Sequence, residues 1–227
     1  MFGYVRGGYA RVLQRFAEVL KEKGAEIRTN ERIERIEKKN EVFEIESTNN
    51  ERRTTNYQKV IITAPSRIAA KICPQLSADE KAKLNGIKYQ GIVCASVLMK
   101  KSLSNFYVTN ITDETPFTGI IEMSALVDKM EFGGNALVYL PKYVAPDDEL
   151  FEKSYDEIKA TFLGALEKMY PHFRREDVVA FKVSRVREVF PLPTLNYSAN
   201  VPSVKTSVEN LFVINSSQIT NGTLNVN

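Results

Sequence analysis

Val60, Ile61 and Ile62 stand consecutively in KVIITAP, three β-branched residues closed by a small residue and a proline. Such a run is too short for a buried helix and does not alternate, so it predicts a strand buried on both faces of its sheet. A second run of the same kind, Leu211–Ile214, lies near the other end of the sequence. Two such strands must find each other across the intervening chain. The sequence therefore predicts an α/β fold in which residues 1–65 and 205–227 form one layer system and residues 66–204 form an inserted lobe.

The local pattern fits that outline. Tyr9, Val12, Leu13, Phe16, Ala17 and Leu20 recur at helical spacing, with Gly24 placed to end the helix after Lys23. Strands are expected at Ala25–Arg28, Arg32–Glu37 and Glu41–Ser47, and the polar STNNERRTTN reads as a connection. In the inserted lobe, two short helices, the second capped by Ser77, lead into the apolar strand YQGIVCASVLMK. A helix over Asp148–Tyr170, capped by Asp147 and stopped by Pro171, and a strand FKVSRVREVF follow.

Composition excludes several functions. The chain has 31 Lys and Arg against 28 Asp and Glu, a net charge of +3, too balanced for a nucleic-acid partner. One histidine and two cysteines cannot supply a Cys/His metal site, so no metal is expected. His172, after the long helix, reads as a cap rather than a catalytic base. Cys73 and Cys94 sit in apolar surroundings and read as buried free thiols of a reducing compartment. No apolar run reaches the ~20 residues of a membrane span, and no signal peptide is evident, so a cytoplasmic location is expected.

Four segments, in order, resemble the superfamily of FAD-dependent amine oxidases, protoporphyrinogen oxidases and carotenoid desaturases. They are GYVRGGYARVLQRFAEVLKEKGAEIRTNERIERIE, KVIITAP, REVFPLP with Tyr197, and NLFVINSSQITNGTLNVN. The resemblance implies a partial FAD-binding α/β layer with an inserted mixed-sheet substrate domain carrying helices. It implies cofactor contacts at Ile33 (the adenine), at Thr63, Ala64 and Pro65 (the strand end), at Asn215 and Ser216, and at Gly222, Thr223 and Leu224 (the flavin ring). Asn215-Ser216 stands where the family has Gly-Asp, so a hydroxyl contact there would use an amide. The family's G-x-G-x-x-G loop, which holds the pyrophosphate, has no counterpart. The chain thus reads as part of a longer flavoprotein, expected to be inactive alone and to bind FAD weakly or not at all.

The implied reaction is hydride transfer from a small, hydrophobic organic substrate to the flavin, with YQGIVCASVLM, GIIEM and ALVYL as an apolar wall and Tyr197 near the substrate. The substrate would be held between the two domains. A non-catalytic hydrophobic-ligand binding or interaction module is the alternative. A flavin-dependent sugar-nucleotide mutase is a second alternative; Arg185 and Arg187, two apart on one strand face, would favour it as substrate contacts.

Overall fold

Leu211, Phe212 and Val213 run parallel to Val60, Ile61 and Ile62, residue opposite residue, in a two-stranded sheet. This pairing appears in a computed structural model that describes residues 4–49 and 51–220. The elements follow in chain order: α1 (Gly8–Glu22), β1 (Arg32–Lys39), β2 (Val42–Asn49), β3 (Glu51–Tyr57), β4 (Val60–Ile62), α2 (Ser66–Ile72), α3 (Ala78–Gly86) and β5 (Tyr89–Met99). Then come β6 (Val108–Asn110), β7 (Gly119–Glu122), β8 (Ala136–Val144), α4 (Tyr155–Met169), β9 (Val178–Pro191), α5 (Tyr197–Asn200) and β10 (Leu211–Val213). The fold is mixed α/β.

The chain divides into two compact units, Met1–Glu26 with Gln90–Val189, and Ile27–Tyr89 with Phe190–Asn227. This differs from the division expected from sequence. Residues 1–26, with α1, group with the inserted lobe, whereas residues 66–89 and 190–204 group with the two apolar strands.

In the first unit, β6-β7-β8-β5-β9 form a five-stranded sheet. β5 alternates strictly: Val93, Ala95, Val97 and Met99 are buried, and Ile92, Cys94, Ser96 and Leu98 are half-buried. The buried set packs with Val138 and Leu140 of β8 and with Ile158, Phe162 and Leu166 of α4. β5 pairs antiparallel with β8, which sets Ser96 opposite Tyr139 and Leu98 opposite Leu137. The second sheet face is therefore a half-open surface of Ile92, Cys94, Leu98, Leu137 and Tyr139.

α4 starts later than its acidic residues suggest. Ser154 and Glu157 form a capping box at its start, while Asp148 caps a separate 3-10 turn by accepting from the Leu150 N–H. The apolar stripe of α1 is exposed, with Tyr9 71% and Phe16 59% accessible. Its N-terminus is held by Glu131, which accepts from the Gly7 N–H at 2.9 Å and pairs with Arg6 at 3.7 Å.

In the second unit, β1-β2-β3 form an antiparallel sheet. β3 occupies the segment expected to be a connection: its ladder to β2 is satisfied by backbone, and an outer strand needs no apolar face. Residues 25–28 carry no strand. Ile36, Phe43, Val60, Ile62, Leu84, Leu211 and Val213 share one core with α2. β4 is not buried on both faces as its composition predicts. Val60 and Ile62 are buried, but Ile61 is 61% accessible, because no described element lies over the second face.

Candidate functional site

Parallel registration of β4 and β10 delivers their C-terminal ends to the same place. β4 runs out into Thr63-Ala64-Pro65 and β10 into Ile214-Asn215-Ser216, with the Ile214 N–H donating to the Ile62 carbonyl at 2.8 Å. Five of the expected cofactor residues are thus brought together across more than half the sequence.

Asn215 ties the two ends. Its Nδ2 donates to the Ala64 carbonyl at 3.0 Å and to Ser66 Oγ at 3.3 Å, and its Oδ1 accepts from the Ser217 N–H at 3.0 Å. With Gln218 it also forms a capping box around the short turn that follows. Beneath it, the fully buried Ser66 and Ser217 share a hydroxyl contact of 3.0 Å. Two tyrosines close the layer. The Ser66 N–H donates to Tyr89 Oη at 3.2 Å, and Tyr197 Oη donates to the Ser217 carbonyl at 2.6 Å. Burial, and next to it the Tyr89 phenol, raises the Tyr197 hydroxyl above the ordinary tyrosine range, so it stays a neutral donor.

Asn215 is therefore structural in its present bonding: each side-chain atom already has a protein partner. Exposed Thr63, Pro65 and Ser216 and half-buried Ala64 remain at the rim. Ser66, Ser217 and Tyr89 were not singled out from sequence. The Asn-x-x-Gln spacing of the capping box was the available signal for Ser217, and nothing local marks Tyr89.

Beside β4 lies an open cleft of about 940 Å³. Ile33, Ile36 and Ile45 line it from one side, Ile61, Thr63 and Ala64 from another, and Ile68 and Lys71 from α2, with Arg32 and Glu34 also at its wall. Ile33 thus shares a cavity with Thr63 and Ala64. Apolar walls with two cations suit a flat heteroaromatic ring carrying anionic groups, so the residues present fit part of a dinucleotide. Gly222, Thr223 and Leu224 lie outside the described residues.

The first unit treats its candidates differently. Arg187 stacks on Phe151 with its guanidinium carbon 4.6 Å from the ring centre, donates to the Pro146 carbonyl at 2.5 Å, and bonds Glu152. Arg185 donates to the Lys153 carbonyl at 2.7 Å. Both arginines hold the 146–153 segment onto the sheet. Tyr197 belongs to the second unit, with its hydroxyl engaged as described. The His172 ring bonds the Leu103 carbonyl at 2.9 Å, and among the described residues no group of His, Cys, Asp and Glu could hold a metal.

The family model for flavin containing amine oxidoreductases matches residues 1–223. The chain belongs to that family. Its fold is similar to that of a putative protoporphyrinogen oxidase from Exiguobacterium sp. 255-15, with a TM-score of 0.74 and 14% identity over 94% of this chain and 47% of that one. A putrescine oxidase with bound putrescine gives a TM-score of 0.70 and 17% identity over 93% of this chain and 48% of that one. A reduced UDP-galactopyranose mutase gives 0.67 and 14%, over 86% and 42%. The chain of this flavin amine oxidoreductase relative thus spans about half the length of these solved structures. No curated protein sequence matches it. Among the described residues, no helix is long and apolar enough to cross a membrane.

Proposed function

We propose that this chain contributes to an FAD-dependent oxidoreductase acting on a small, apolar organic molecule. The observation that carries the reading is the parallel register of β4 and β10, which sets Thr63–Pro65 beside Asn215–Ser216 at the rim of a cleft that also holds Ile33. When bound, the flavin of such an enzyme supplies the redox chemistry by accepting a hydride from a substrate C–H bond.

This chain's own residues supply position and surroundings. Ile33, Ile61 and Ile68 offer apolar contact to a heteroaromatic ring, and Arg32 and Lys71 offer charge to its anionic substituents. The Asn215–Ser66–Ser217 bonds fix the two strand ends, so the rim is set before any ligand arrives. In the other unit, the half-open face of Ile92, Cys94, Leu98, Leu137 and Tyr139 is the wall we assign to substrate. Along β5 and β8 it carries no charged side chain, which favours an apolar molecule over a sugar nucleotide. The bonded state of Arg185 and Arg187 weighs against the mutase reading in the same way.

The test is an FAD titration of the 15N-labelled chain followed by amide shifts. Weak binding is expected, with shifts confined to Ile33, Thr63, Ala64 and their neighbours, and abolished by Ile33→Glu. Shifts mapping away from this cleft, or none at millimolar FAD, would refute the assignment.

A further inference from the structure

The half-open face of the five-stranded sheet carries a cavity of about 340 Å³, walled by Tyr4, Tyr9, Met123, Phe132, Leu137 and Tyr139. All six belong to the same compact unit. Leu137 and Tyr139 are the β8 part of the wall assigned above, and the others come from the start of the chain and from two 3-10 turns, Met123–Ala125 and Lys129–Phe132.

Backbone geometry builds the roof. Gly7 and Gly8 both lie in the left-handed region, at φ 85° and 68°, and the Gly8 N–H donates to the Val5 carbonyl at 2.7 Å. That turn sets residues 4 and 5 against the first turn of α1. A Cβ on Gly8 would stand 3.3 Å from Tyr4 Oη, so the glycine leaves the phenol room to lie beside it. Glu131 holds the turn through the Gly7 N–H and Arg6, and its neighbour Phe132 enters the wall. The cavity is shaped before a ligand arrives.

Its chemistry is narrow. No charged side chain lines it, and the side-chain donors it offers are phenol hydroxyls. Those of Tyr4 and Tyr139 have no hydrogen-bond partner among the described residues. Burial, and after it the nearby Cys94 thiol and Tyr4 phenol, raises the Tyr139 hydroxyl above the ordinary tyrosine range, so it stays a neutral donor. An ammonium or a carboxylate drawn into this space would lose hydration without gaining a counterion. Glu131 and Arg6 already pair with each other. The volume stands near the lower end of small-molecule sites, ~300 to ~1,000 Å³, and suits one ring or two fused rings rather than a long chain. Aromatic walls favour a flat group.

We propose that this cavity binds an uncharged, planar one- or two-ring group whose acceptor oxygen is bonded by the Tyr139 and Tyr4 hydroxyls. That the ring belongs to the substrate rests on the functional reading above; the cavity does not. The inference narrows that substrate: the end held here is a neutral ring with a carbonyl or ether oxygen, not an amine.

The test titrates coumarin, a neutral two-ring lactone, into the 15N-labelled chain, beside coumarin-3-carboxylate and 7-(aminomethyl)coumarin, a cation at pH 7. Coumarin should shift the amides of Gly8, Val12, Leu137 and Tyr139, and both charged analogues should bind at least ~10-fold more weakly. Tyr139→Phe removes only the hydroxyl and should weaken coumarin about 5-fold, with the amide spectrum elsewhere unchanged. Val12→Phe, at an exposed position of the wall, narrows the space and should weaken binding further. The proposal is overturned by an absence of shifts at millimolar coumarin, by shifts mapping to other residues, or by unchanged affinity in either variant. An ammonium analogue that binds as tightly as coumarin also overturns it, since the site would then be one for a cation on aromatic faces. No flavin is present, so a failure here leaves the cleft at Ile33, Thr63 and Ala64 untouched, and a failed FAD titration leaves this cavity to be judged on coumarin alone.

Discussion

Replacing Asn215 by alanine removes a side chain that bonds both strand ends of the candidate site. The Ala64 carbonyl and the Ser217 N–H lose their 3.0 Å bonds to it, and Ser66 Oγ loses one at 3.3 Å but keeps its contact with Ser217 Oγ. A net hydrogen bond in such a setting contributes about 1 kcal/mol. The two short bonds therefore account for about 2 kcal/mol, and part-burial of the groups left behind raises the expected loss to about 2–3 kcal/mol. For a chain of this size that is a fall in Tm of roughly 4–12 °C. Asn215→Asp keeps the acceptor for the Ser217 N–H but sets a carboxylate oxygen against the Ala64 carbonyl, so at neutral pH it should cost at least as much as alanine. Thermal unfolding followed by circular dichroism measures both. An alanine or aspartate variant within about 1 °C of the parent would refute the assignment of Asn215 as a tie between β4 and β10.

Gly91→Ala should cost about 1–3 kcal/mol in urea unfolding, because a Cβ there would lie 2.7 Å from Phe151 Cζ and 3.0 Å from the Arg187 carbonyl oxygen. A larger shift in stability after the added change Phe151→Leu, rather than partial rescue, would show that the ring is not the obstacle. Burial pushes the Cys73 thiol up to about 12, with Lys81 opposing only in part. The folded state therefore holds its proton where the unfolded chain has lost it. This contribution to stability is intact below the ordinary thiol range and declines as pH rises from there toward 12. Cys73 should accordingly resist thiol reagents at pH 8 until denaturant is added, as mass spectrometry of labelled peptides can read. Labelling at the rate of a free thiol in the native protein would contradict its burial.

The elements that were legible in the sequence are those whose signal is local. The Tyr9–Leu20 stripe set α1, Ser77 set the start of α3, and the apolar runs set β4 and β10. The Asn215 capping box was also written there, although only its role at the strand end gives it meaning. What failed locally failed for a reason. β3 is polar because an outer antiparallel strand is held by its ladder, so no apolar alternation announces it. α4 has acidic residues both at Asp147–Glu149 and at Asp156–Glu157, and only the fold selects Ser154 between them as the cap.

The sequence by itself determined that two apolar strands would form and that both would end in small polar residues, since strand propensity and turn chemistry depend on near neighbours. Only the tertiary structure decided that they lie parallel, in register, with Asn215 reaching Ala64. Those outcomes depend on which distant backbone groups find each other. A hydrogen bond between residues 64 and 215 leaves no trace in the order of residues around either one.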